Sequence, residues 1–237
     1  MNENLIKKVT DSTVELINKF NIEFHRGDPV VYFNKLSQFH YMLTLDGIKE
    51  NDLEKALSLK NYYVLWNILI DDEIDQNSNI KSSILNNRYL LSLLSDQRSD
   101  EKDPSIEILN KVIEGTTTNK NSMILFDLIE IINGFIYEYN INQSALLNIL
   151  DYDQYSTMTA SIKIHLDIDN YFLNLNNITY TELRECYHYF SKSIKYSSDI
   201  GSLNREITME RTLNIILITE INRGRINHSD LKDRKYI

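Results

Sequence analysis

Turn-forming residues are scarce in this chain: its 237 residues include only six glycines and two prolines. Sandwiches and barrels need turn signals roughly every ten residues, so an all-β architecture is excluded. One cysteine, Cys186, rules out an internal disulfide framework and any cysteine-built zinc cluster. Long apolar runs are also missing. The strongest, Val64 to Ile70 around Asn67, falls far short of the roughly 20 residues that a membrane-spanning helix needs. The first residues, Met-Asn-Glu-Asn-Leu-Ile-Lys-Lys, contain no apolar stretch resembling a signal peptide, so a cytoplasmic location is expected. Basic charge is in deficit, 25 Lys plus Arg against 34 Asp plus Glu, for a formal charge of −9. Affinity for phosphate backbones comes mainly from Lys and Arg, so a nucleic-acid partner is not expected. No Gly-rich phosphate loop and no Gly-x-Ser-x-Gly element is present.

What is abundant is apolar surface at helical spacing. Apolar residues make up 42% of the chain, enough for a sizeable core. Leu5, Val9, Ile17 and Phe20 predict a first helix, and Val30, Phe33, Leu36, Met42 and Leu43 a second, after Gly27-Asp28-Pro29. Leu53, Leu57, Leu65, Ile68 and Leu69 predict a third, with Asn51 and Asp52 as caps. A fourth runs from Ile80 to Leu94 and a short one from Ser105 to Glu114, followed by a loop at Gly115 to Thr118. Met123 to Tyr139, apolar except at a few positions such as Gly134, reads as the centre of a bundle. Helices over 154–174, 181–205 and 209–222 complete an all-α reading, without a linker or a repeat.

Two segments carry chemistry. Asp71-Asp72-Glu73-Ile74-Asp75 ends the apolar run of the third helix. Asp71 and Asp75 share a helix face, where like charges cost a few tenths of a kcal/mol per pair. Carboxylates at a helix C-terminus also oppose the macrodipole. Magnesium would relieve both penalties; a solvated acidic helix end is the other reading. The second segment, Ser198-Asp199-Ile200-Gly201-Ser202-Leu203-Asn204-Arg205-Glu206, places Ser198, Ser202 and Glu206 at i, i+4 and i+8. Three oxygen donors on one face could hold a second hard cation, and Arg205 could meet a phosphate. The alternative is the polar stripe of an amphipathic helix.

Together the two segments resemble the metal motifs of the class I terpene synthases. Asp71-Asp72-x-x-Asp75 is similar to the DDxxD motif that ends an apolar helix in that family. Ser198-Asp199-x-x-Ser202-x-x-Arg205-Glu206 is similar to (N/D)Dxx(S/T)xxxE, with Ser198 where Asn or Asp is usual. Trp66, five residues before Asp71, and Leu213-Asn214-Ile215-Ile216-Leu217, after the second motif, also resemble the family's surroundings. The resemblance extends over about 33–230. It implies a single helical bundle of the class I isoprenoid-synthase type over 1–237, with the family's last helices missing. The activity implied is magnesium-dependent ionisation and cyclisation of a linear prenyl diphosphate, farnesyl first. Three magnesium ions are implied, with manganese as a substitute. Asp71, Asp72 and Asp75 would bind metal, as would Ser198, Ser202 and Glu206. Asp71, Asp75 and Glu206 would be the catalytic set, Arg205 would bind diphosphate and Trp66 would line the substrate cavity. A prenyl transferase of the same fold, and a shortened relative that binds metal and diphosphate without turnover, are the alternatives. A homodimer is expected, a second subunit covering the flank left by the missing helices.

The family's Tyr-x-x-x-Arg-x-x-Thr-x-Gly pattern aligns with Tyr152-x-x-x-Ser156-x-x-Thr159-x-Ser161, which has Ser156 in place of the diphosphate-sensing Arg. The tail 223–237 holds Arg223, Arg225, Lys232, Arg234 and Lys235 against Asp230 and Asp233, and could contact diphosphate instead. The five histidines are scattered and read as surface or satisfied core residues. The side chains of His165, Asp167 and Asp169 should splay on a helix rather than share a metal. Cys186 reads as core.

Overall fold

The structure, a computed structural model, describes residues 2–77, 79–95, 103–116, 123–142, 148–208, 214–227 and 230, with the side chains of 75–77, 141, 142, 205, 206 and 208 outside the described set. Ten α-helices and no strands occur among the described residues. In chain order they are α1 (Glu3–Lys19), α2 (Pro29–Leu43), α3 (Glu50–Asn77), α4 (Lys81–Leu94), α5 (Pro104–Thr116), α6 (Met123–Asn142), α7 (Ile149–Thr159), α8 (Lys163–Leu173), α9 (Asn177–Thr208) and α10 (Ile215–Asn222). The all-α expectation holds. No helix among the described residues is long and apolar enough to cross a membrane.

The described residues fall into two compact units, Met1–Ile129 with Lys163–Arg184, and Glu130–Ile162 with Glu185–Ile237. In the first unit α3 is the central element, packed by α1, α2, α5 and α8. Its Ala56, Leu57, Leu65, Trp66 and Ile70 have no exposed surface, so the helix is buried on several faces at once. α3 begins one residue before Asn51, so Asn51 and Asp52 lie in its first turn rather than at the cap. Glu50 and Asp52 there suit the positive end of the helix. α5 runs on into the expected loop as far as Thr116, and Gly115 lets it lie directly on α3; Thr117 and Thr118 lie outside the described residues. A Cβ at Gly115 would come 2.4 Å from Leu59 Cδ2. Thr116 Oγ1 closes the last turn by donating to Val112 O at 2.7 Å.

The second unit contains the C-terminal part of α6, α7, the C-terminal part of α9, and α10. Gly134 is its point of closest helix contact: a Cβ there would stand 3.0 Å from Met158 Cβ, Thr159 Cγ2 and the Tyr155 carbonyl. Tyr152 and Ile218, both fully buried, join α7 to α10. The expected helix over 154–174 is two helices, although no Gly or Pro interrupts it. The ladder stops because Ser161 N–H bonds Met158 O at 3.1 Å and Ile162 N–H donates to Ser191 Oγ on α9 at 3.0 Å. A tertiary acceptor replaces the helical one, so the break costs no buried unpaired donor. α6 is less central than its composition suggests. Ile124, Leu128, Ile131, Ile132 and Phe135 are buried, while Met123 and Phe126 are exposed.

Candidate functional site

The acidic end of α3 lies in the first unit. The helix continues to Asn77 with no basic residue in its last turn, so Asp71 to Asp75 occupy its C-terminal part, as expected. Asp71 is one-third exposed and Asp72 less so. A residue the motif reading missed joins them: one guanidinium nitrogen of Arg26, Nη2, lies 2.5 Å from Asp71 Oδ2 and 2.9 Å from Asp72 Oδ1. Burial lowers the Arg26 pKa, but the two carboxylates outweigh it and hold the group above its ordinary value. Glu73 has a structural role. Its Oε2 accepts from Ser82 N–H at 2.9 Å, capping α4, whose own N-cap residue Ile80 makes no side-chain cap bond. The backbone of Asp75 is helical, one turn beyond Asp71, and its side chain lies outside the described set. Trp66 is fully buried, its indole N–H donating to Asn86 Oδ1 at 3.0 Å, which ties α3 to α4.

Deeper in the first unit lies a buried polar network. His40 Nδ1 is 2.9 Å from Asn61 Oδ1, and Asn61 Nδ2 donates to Ser37 Oγ at 2.8 Å and Thr13 Oγ1 at 3.2 Å. The Asn61 oxygen can only accept, so His40 carries its proton on Nδ1. His40 Nε2 must then accept from His165 Nε2–H, 2.9 Å away. Burial, with Lys60 nearby, pulls the His40 pKa down to about 3, so the ring is neutral. Lys60, fully buried, pairs with Asp169 at 2.7 Å and donates to Thr44 Oγ1 at 2.8 Å. Arg184 grips Asp127 with two nitrogens at 2.6 Å each and reaches Asp167 at 3.2 Å. Burial and Asp127 push the Asp167 carboxyl well above the usual range. His165, Asp167 and Asp169 therefore turn to three different partners, as the helical alternation requires.

The second motif lies on α9 in the second unit. That helix is continuous through Thr208, so Ser198, Ser202 and Glu206 keep their spacing on it. Ser198 is exposed and Ser202 half-buried, its Oγ 3.5 Å from the Asp199 carbonyl. The backbones of Arg205 and Glu206 are helical and their side chains lie outside the described set. The inward stripe of α9 is instead Tyr187, Ser191, Lys195 and Asp199, four residues apart. Asp199 is 1% exposed and accepts from Tyr152 Oη at 2.6 Å and from Ile215 N–H at 2.9 Å. Lys195 Nζ stands 3.2 Å from its other oxygen. Burial works against the Lys195 charge, but Glu138, Tyr152 and Asp199 outweigh it and raise its pKa well above the ordinary value. Asn214 caps α10 through Ile216 N–H and donates to the Asp199 carbonyl at 2.6 Å. The same stripe corrects the expectation for Cys186: with Tyr187 facing inward, its neighbour turns outward, and the thiol is exposed.

Ser156, in the register of the family's sensing Arg, is fully buried on α7. In the basic tail, Arg223 and Arg225 pair with Glu220 at 3.2 and 3.0 Å. Lys232, Arg234 and Lys235, like His228, lie outside the described residues. Among the described residues no group of three or more His, Cys, Asp or Glu side chains is placed to hold a metal ion. Neither protein-family models nor curated protein sequences give a match to this chain.

Proposed function

We propose that the protein is a class I terpene synthase, which ionises and cyclises a linear prenyl diphosphate, farnesyl diphosphate first among the candidates, and releases diphosphate. The observation that carries this reading is the end of α3. The largely buried stretch of α3 from Ala56 to Ile70 is followed, in the C-terminal part of the helix, by two partly exposed carboxylates that share one cation. Oxygen-only donors with solvent access fit a hard divalent ion, and the Arg26 nitrogen between them is a stand-in for its charge.

Asp71 and Asp72, with Asp75 one turn on, would hold magnesium, with manganese as a substitute. Ser198, Ser202 and Glu206 would hold a further ion, and Arg205 would meet the diphosphate. When bound, magnesium supplies Lewis-acid stabilisation of the departing diphosphate. The chain's own contribution at α3 is positioning: Glu73 fixes the start of α4 against the helix that carries the pair. In the second unit Asp199 anchors α9 to α7 and α10, which orients the neighbouring Ser198 and Ser202. Asp199 thus acts through its neighbours.

The test incubates purified protein with geranyl, farnesyl and geranylgeranyl diphosphates and magnesium, and measures hydrocarbon products and released diphosphate. Product formation that Asp71→Ala abolishes is the expected result. No product from any substrate, with Asp71→Ala indistinguishable from wild type in thermal response to magnesium plus diphosphate, would reject the reading. A thermal shift without product would identify a binding-only relative.

A further inference from the structure

We propose that Arg26 is the resident counterion of the Asp71–Asp72 pair and that a divalent cation binds there by displacing it, an inference that rests on reading this pair as the first metal motif. Asp71 and Asp72 are neighbours on a helix, so their side chains diverge by about 100°. A cation can meet an oxygen of both only from a position between them, and Arg26 Nη2 occupies that position. A single nitrogen bridging two carboxylates is the geometry of a point charge, unlike the usual fork of arginine on one carboxylate. Arg184 on Asp127 shows that fork in the same unit.

The segment that delivers Arg26 is anchored. It joins α1 to α2, and Phe24 within it packs on Tyr32 at 5.3 Å and on Phe33 at 5.6 Å between ring centroids. Phe33 has no exposed surface, so the aromatic cluster is fixed to the core of the unit. The guanidinium is therefore held near the pair, where it competes with any arriving cation. One guanidinium leaves a net charge of −1 on the two carboxylates, whereas a divalent ion neutralises both. Arg26 and Asp71 are each about one-third exposed, so solvent screens the pairing and displacement is inexpensive.

The experiment titrates the full chain with magnesium and with manganese by calorimetry, using wild type, Arg26→Gln, Arg26→Lys and Asp71→Asn. Arg26→Gln should bind metal about twofold to fivefold more tightly than wild type, with Arg26→Lys in between. Metal should also raise the melting temperature of Arg26→Gln further than that of wild type at equal concentration. Asp71→Asn should lose the binding. Equal affinity in wild type and both Arg26 variants, or weaker binding in Arg26→Gln, overturns the counterion role and leaves the metal reading standing. Absence of binding in every form at millimolar metal, or unchanged binding in Asp71→Asn, overturns both. If Arg26→Gln does not fold, the direction of change in Arg26→Lys decides the matter.

Discussion

Asp71 and Asp72 in the first unit and Asp199 in the second all belong to acidic motif segments, yet their surroundings are opposite. Asp71 and Asp72 meet solvent and a single arginine nitrogen. Asp199 is 1% exposed, and its carboxylate is matched by a tyrosine hydroxyl, a backbone N–H and a lysine. The difference teaches that an acidic motif contains two kinds of carboxylate. Asp71 and Asp72 share one partly exposed arginine, whereas Asp199, with several buried partners, holds the scaffold. Glu73, spent on capping α4, is also structural although it sits inside the first motif.

The largest break in this comparison is Asp199→Ala. It removes the acceptor of the Tyr152 hydroxyl and of Ile215 N–H and strips Lys195 of its nearer carboxylate. Loss of one partner from a buried pair costs about 3–5 kcal/mol, so denaturant unfolding should show a loss near that range. Next is the neutral His40 ring of the first unit. Its folded pKa of about 3 lies below the unfolded value of about 6.5. The unfolded chain therefore takes up a proton first, and the stabilisation from His40 is present above pH 6.5 and lost as pH falls toward 3. Between pH 7 and 5 its share amounts to about 2 kcal/mol. Burial raises the Asp167 and Asp169 pKa values and gives the opposite slope, so the His40 share is the difference between wild type and His40→Gln across that range.

Gly134→Ala should cost about 1–2 kcal/mol. The new Cβ meets a Cβ and a backbone carbonyl that cannot swing aside, and the gain in helix propensity offsets only part of the strain. Thermal unfolding of the variant checks this, and an unchanged or raised melting temperature would remove the tight α6–α7 contact from the account. The smallest effect is expected at the exposed pair. Asp71→Asn should change stability by less than about 1 kcal/mol, while removing metal-dependent stabilisation. A loss as large as that of Asp199→Ala would erase the distinction between available and structural carboxylates.

Much of this was legible in the sequence. Apolar spacing located α1 to α6, because amphipathic helices advertise their buried face locally. It missed the break between α7 and α8, since nothing near residues 160–162 signals it; the acceptor that ends the ladder is Ser191, 29 residues away. The motif spacing put Asp71 to Asp75 at a helix end and Ser198 to Glu206 along a helix. It did not single out Arg26, which is 45 residues from Asp71 and lies outside both motifs. The inward stripe of α9 could have been noticed as Tyr187, Ser191, Lys195 and Asp199 recurring every four residues. Its polarity resembles that of a solvent face, whereas Cys186, which reads as core, is exposed.

The sequence by itself determined most of the helices and the clustering of carboxylates along them, because these depend on neighbours within one or two turns. Only the tertiary structure decided which carboxylates are matched, by what, and how deeply. His40 finds His165 125 residues away, and Asp71 finds Arg26 45 residues away. Such partners are selected by packing and desolvation, which act between distant segments and leave no local period in the chain.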